Sequence, residues 1–181
     1  METTPIVEPE RYSKPAIVFH WAIAVLIALA YLAIGIRGPK GSDTRLFWSD
    51  VHFGSGTLVL LLAILRLLWR LWKGTPPEIA DARVLTFLAR LAHLALYAFI
   101  FVQPLLGMLI INLGGHPVAF AGTEWHIQLV GADPLAQKVI KAMHEFIGKL
   151  FYWIIGLHAL AAIVHHAVFK DGSLRRMFRW H

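Results

Sequence analysis

The stretch MHEFIGKLFYWIIGLHA, Met143 to Ala159, decides how this chain is read. From Leu150 the sequence stays free of formal charge to Phe169, roughly the 20 apolar residues that a helix needs to cross the hydrocarbon core of a bilayer. His144 and His158 stand fourteen residues apart, about 21 Å along a helix axis and only about 40° around it. They share a face at two depths. An imidazole at such a position costs free energy unless something holds it, so partners are expected at the same two depths on other helices.

Other helices are available. Ala16 to Ile36 and Leu91 to Leu113 are also uncharged and long enough to span. Val51 to Leu65 is uncharged, and its apolar character continues past Arg66, whose stem can snorkel to the headgroups, through Leu67, Leu68 and Trp69. Breakers separate the spans: Gly38-Pro39-Lys40-Gly41, Lys73-Gly74-Thr75-Pro76-Pro77 and Gly114-Gly115-His116-Pro117. The expectation is an all-α, integral membrane, four-helix up-down-up-down bundle, a single domain over residues 1–181, with helices at about 16–36, 48–72, 86–113 and 135–169. The first fifteen residues have three glutamates and no apolar run, and read as a short polar tail rather than a cleaved leader.

Composition agrees. Of 181 residues, 57% are hydrophobic and 15% charged, which excludes an ordinary soluble domain and makes the lipid bilayer the main partner. Seventeen Lys and Arg against eleven Asp and Glu leave +6, a surplus suited to anionic headgroups; no nucleic acid is expected as partner. Ten basic residues fall in the tails and the middle loop, against three in the first and third loops before residue 138. Both termini are therefore expected to be cytoplasmic. Lys138, Lys141 and Lys149 run against this bias. With no cysteine, disulfides, thiolate zinc sites, iron–sulfur clusters and thioether-bound haem are excluded.

Ten histidines remain to be explained. His116, His126, His166 and His181 read as solvated or interfacial, whereas His20, His52, His93, His144, His158 and His165 lie on the expected helices. His20 stands about 6 Å inside one boundary and His52 about as far inside the other, which separates them in depth by about 18 to 20 Å. That offset matches His144 and His158. Pairing His144 with His165 would span about 31 Å, and His158 with His165 only about 10 Å. The pattern predicts two b-type haems held by neutral imidazoles, His20 with His158 on the inner side and His52 with His144 on the outer. Gly54, Gly56, Gly148 and Gly156 beside these ligands would let a porphyrin approach a helix. His93 has three readings here: a core hydrogen-bonding residue, a quinone contact or an alternative inner ligand. Pro104 is expected to kink the third helix, and Gln103 to bond within the bundle.

Tyr12-Ser13 before His20-Trp21, Val51-His52 with Gly54 and Gly56, Trp69-Arg70 before Pro76-Pro77, Met143-His144-Glu145, and Gly156-Leu157-His158-Ala159 followed by His165-His166 resemble the bacterial cytochrome b561 family over almost the whole chain. The resemblance implies a multi-pass protein of the bacterial cytoplasmic (inner) membrane in which the four histidines ligate two haems b. It is nearest the branch that acts as a superoxide oxidase, and so implies superoxide, or another one-electron donor, at the outer face and ubiquinone as acceptor. His165, Arg66, Arg70 and Trp69 would frame the quinone site, with a titratable histidine relaying a proton, while lipid phosphates or haem propionates are the stronger competing partners for Arg66 and Arg70. Arg37, Lys40, Arg45, Lys138, Lys141 and Lys149 would draw an anion to the outer rim, although Asp43, Asp50, Glu124, Asp133 and Glu145 nearly balance them. No obligate protein partner is expected. The competing readings are a cytochrome b subunit that anchors a quinone-linked dehydrogenase or hydrogenase, and a haem-free histidine-lined transporter.

Overall fold

In the computed structural model, which describes residues 11–77, 83–119 and 126–178, three of the four long helices start at a local signal. Helix α1 (Lys14–Ile36) has Pro15 in its first turn, where a missing N–H costs nothing. Helix α2 (Asp43–Lys73) is capped by Ser42, whose hydroxyl accepts from the Arg45 N–H at 3.2 Å. That cap starts α2 at Asp43 rather than near Trp48. Helix α3 (Arg83–Leu113) runs unbroken through Pro104. Helix α4 (Pro134–Val164) opens on Pro134 behind Asp133, whose carboxylate accepts from the N–H groups of Leu135 and Ala136, both at 3.0 Å. Its last turn, His165–Phe169, is wound as a π-helix. Residues 1–10, Glu124, Arg179 and His181 lie outside the described residues.

All four helices are long and apolar enough to cross a membrane. They alternate in direction, and backbones pack closely between consecutive helices. The 36 residues of Pro134–Phe169 extend about 54 Å, so α4 overshoots a hydrocarbon core of about 30 Å or tilts within it. Large apolar side chains such as Val25, Leu61, Leu94, Leu105, Phe146 and Trp153 face outward, as a surface solvated by lipid tails requires.

The tightly packed core is one layer at mid-depth. Ile23, Val59, Ala63, Ile100 and Phe151 form it, one or two from each helix. Phe99 stacks on Phe151 with ring centroids 4.8 Å apart, and Tyr31 lies against Tyr152 at 3.9 Å. The Tyr31 hydroxyl donates to the Gly148 carbonyl at 2.7 Å, which satisfies a polar group that lipid would leave unpaired. Phe151 is seven residues from His144 and seven from His158, so this layer separates the two histidine levels.

Both ends of the bundle are closed by short structures without a strong sequence signal. At the end away from the termini, β1 (Val118–Ala119) pairs antiparallel with β2 (His126–Ile127). Asn112, 0% exposed, holds this hairpin. Its amide donates to the carbonyls of His116 and Ile127, and its carbonyl accepts from the Leu129 N–H. Asn112→Ala removes three part-buried hydrogen bonds to the loop backbone and is expected to destabilise the loop by about 1–3 kcal/mol; faster proteolysis between residues 114 and 133, with the helices intact, is the measurement. α3 and α4 come so close here that a Cβ at Gly114 would stand 2.5 Å from Gln137 Nε2. At the other end, α5 (Arg175–Phe178) folds back. Arg176 donates to the Pro77 carbonyl, Trp21 donates to the Met177 carbonyl, both at 2.8 Å, and the Trp21 ring packs on Phe178.

Candidate functional site

The bundle brings the expected histidines together at two levels. At the end away from the termini, His52 of α2 faces His144 of α4 with ring centroids 6.2 Å apart. His52 Nδ1 lies 2.9 Å from the Ala30 carbonyl. A carbonyl only accepts, so Nδ1 carries the proton and Nε2 keeps its lone pair toward the bundle interior. From α3, Gln103 Nε2 donates to the His144 carbonyl of α4 at 3.1 Å, and His144 Nδ1 is buried without a partner. Gln103 therefore does bond within the bundle, as expected.

At the end that carries the termini, His20 of α1 faces His158 of α4 with centroids 6.3 Å apart. His93 of α3 is the third histidine here, 5.8 Å from His158. Its side chain is exposed, whereas those of His20 and His158 are half-buried. Arg66 completes the level. Its Nη1 donates to the Ala16 carbonyl at 3.1 Å, its Nε reaches the Tyr97 hydroxyl at 3.4 Å, and its charge is felt at both His20 and His158.

Bond lengths test whether these pairs fit a shared iron. With about 2 Å from metal to each imidazole nitrogen and about 1 Å more to each ring centre, two axial imidazoles stand about 6 Å apart. Both pairs meet this. A side chain added at Gly54, Gly56 or Gly156 would meet nothing within 4 Å, and one at Gly107 would touch only His144 Cε1 at 3.7 Å, so small residues leave room for a flat macrocycle. Among the described residues no cluster of three or more His, Asp or Glu is poised for a metal ion. At one level the histidines stand as a single pair, and at the other His93 joins His20 and His158.

The residues expected to frame a quinone site separate into three contacts at the end bearing the termini. Arg66 and Arg70 converge on Tyr97, with the Arg70 guanidinium carbon 5.6 Å from its ring centroid. Trp69 Nε1 donates to the Ser13 hydroxyl at 2.8 Å. His165 pairs through Nδ1 with the Asp171 carboxylate. Burial tends to raise the Asp171 carboxyl, but the Ser173 backbone N–H and the His165 ring outweigh it and hold the group below the usual carboxylate range. Reading the sequence missed Tyr97, Ala30 and Asp171 as partners. None carries a spacing signal, because each meets its histidine or arginine through tertiary packing or a turn. At the opposite end, Lys138, Lys141 and Lys149 are all exposed, on the turns around His144.

Comparison with known proteins identifies the family. A family model described as prokaryotic cytochrome b561 matches residues 11–180. The chain is 32% identical over 170 residues to a probable superoxide oxidase CybB of Yersinia pestis, covering 93% of this chain and 96% of that one. It is 31% identical over 176 residues to cytochrome b561 homolog 1 of Escherichia coli, covering 92% and 96%. Cytochrome b561 homolog 2 of the same organism is 29% identical over 181 residues, covering 93% and 92%. The chain thus belongs to the prokaryotic cytochrome b561 family, as a membrane-embedded helical bundle that binds haem b and transfers electrons.

Proposed function

We propose that this protein is a di-haem superoxide:ubiquinone oxidoreductase of the bacterial cytoplasmic membrane, with both termini cytoplasmic, His52 and His144 ligating the outer haem and His20 and His158 the inner one. The observation that carries it is the recurrence, at two depths, of an imidazole pair at the separation a shared iron sets, 6.2 and 6.3 Å. The named activity of the Yersinia relative supports superoxide as donor. The exposed Lys138, Lys141 and Lys149 support it by charge.

A haem b held by each histidine pair would supply one-electron chemistry at its level. The chain's own part is placement. His52, with its tautomer set by Ala30, and His144 fix the outer level; His20 and His158 fix the inner one. The aromatic layer of Tyr31, Phe99, Phe151 and Tyr152 excludes water between them. Arg66, beside the inner level, would pair with an anionic group of a haem held there, and Arg70, Trp69 and His165 would line the same end for the quinone. His93, exposed and on α3, is left outside the ligand set.

A pyridine haemochrome assay tests the stoichiometry. Two b-type haems per chain are expected, all extracted by acidified acetone because no cysteine tethers them. One haem per chain would overturn the two-level assignment.

A further inference from the structure

We propose that Asp171 is a positioning residue for proton delivery to the quinone: held in place by the turn after α4, it fixes His165 with Nδ1 protonated and so leaves Nε2 to exchange a proton with the acceptor. This rests on the quinone reading above. Three features of the turn bring the carboxylate to the ring. The last turn of α4 is wound as a π-helix from His165 to Phe169, a distortion that recurs at functional sites. Lys170 then takes φ 53, and is the only residue other than glycine with positive φ among the described residues, a conformation that costs free energy in a residue with a side chain. The Lys170 and Asp171 N–H groups both turn back to the His165 carbonyl. As a result a carboxylate six residues downstream meets the His165 ring.

The carboxylate is itself fixed. Its second oxygen accepts from the Ser173 N–H at 2.9 Å. Beyond it the chain is anchored to α1 and to the α2–α3 connection by the Trp21 and Arg176 hydrogen bonds. A bent helix end, a left-handed residue and long-range anchors thus converge on one ring. A carboxylate only accepts, so a ring proton sits on Nδ1 and Nε2 is left facing away from Asp171. His165 lies seven residues, about 10 Å of rise, beyond His158, at the end where electrons would leave the inner haem.

The chemistry balances. A quinone becomes a quinol by taking two electrons and two protons; the electrons come one from each of two superoxide ions, which become dioxygen. One proton leaves His165 Nε2, whose N–H bond breaks as a quinol O–H bond forms. The ring regains it from solvent at the inner face, and solvent supplies the second proton too, two waters leaving two hydroxide ions.

The test uses the purified haem-loaded protein, reduced with dithionite without oxygen and mixed in a stopped-flow instrument with a short-chain ubiquinone analogue. Asp171→Asn is expected to slow haem reoxidation at least roughly tenfold, and Asp171→Glu to recover much of the rate. His165→Gln should be at least as slow, and the double variant no slower than His165→Gln, because Asp171 acts through that ring. Haem content and the rate of reduction by superoxide should match wild type, which separates this effect from misfolding. In isotope-labelled reduced protein, nitrogen NMR should report His165 protonated on Nδ1, a preference lost in Asp171→Asn. Reoxidation of Asp171→Asn at the wild-type rate, or additive effects in the double variant, would overturn the assignment. Wild-type haem that the quinone analogue cannot reoxidise would instead overturn the acceptor reading on which it rests.

Discussion

His144→Ala is expected to take one of the two haems with it, and His52→Ala to take the same one, so that each variant falls from two haems per chain to one and both leave the same residual spectrum. The two rings face one another across 6.2 Å from helices that share no local sequence, so losing either leaves one imidazole for an iron that needs two. His20→Ala and His158→Ala should remove the other haem and leave the complementary spectrum. The Ala30 carbonyl adds a finer expectation: a His52 ring that has lost this acceptor is less well oriented, and supporting groups of this type are typically worth about 10- to 100-fold in metal affinity. Two neighbours serve as controls. His93 approaches His158 more closely than His20 does, but it is exposed, and His93→Ala is expected to keep both haems. His165→Ala should also keep both, since its Nδ1 is engaged by Asp171. External imidazole that restores the lost haem to an alanine variant would show that the fold survived the substitution. Should His158→Ala retain both haems while His93→Ala or His165→Ala loses one, the inner pairing is wrong.

These assignments needed little beyond the sequence where they depend on helix geometry. A rise of 1.5 Å per residue and an angle of 100° place His144 and His158 on one face at two depths, and four apolar stretches supply the helices. The structure brings the rings together as that spacing requires. The features that were not legible depend on single hydrogen bonds or on turns. Ser42 moves the start of α2 to Asp43 through one hydroxyl. The hairpin over α3 depends on Asn112, one amide that satisfies three backbone groups; its strands are two residues long, too short to show alternation. Through Pro104 the third helix continues without a break, because neighbouring helices in a bundle can support the backbone group that proline leaves unpaired. The inner end was legible only as a collection of residue types. Sequence grouped His165, Arg66, Arg70 and Trp69, but it contained no sign that Tyr97 gathers the two arginines or that Ser13 receives Trp69. Asp171 reaches His165 only through a π-turn and a left-handed residue, neither of which has a compositional signature.

Charge reversal at Lys138, Lys141 and Lys149 together is expected to slow reduction of the haems by superoxide roughly tenfold or more without removing haem, since steering of an anion by a basic rim changes on-rates by about 10- to 1000-fold. All three side chains are exposed and none is a proposed ligand, so the variant changes the field at the outer rim and leaves the haem levels intact. Added salt should slow the wild-type protein in the same direction, because charges in water are screened over roughly 8 to 10 Å at ordinary ionic strength. The triple variant should respond less to salt, having lost the attraction that salt screens. Reduction by a quinol analogue, entering from the membrane at the other end, should be the same in both proteins. Asp50, Asp133 and Glu145, also exposed near this rim, oppose the lysines, so the comparison measures their net field rather than a count of positive charges. Stopped-flow reduction with superoxide, at low and high salt, in wild type and triple variant, gives four rates. Four equal rates would remove electrostatic steering from the mechanism. No reduction of the wild-type haems by superoxide would remove the donor itself and favour an electron-carrying anchor for a dehydrogenase or hydrogenase, in which a docked protein delivers the electrons.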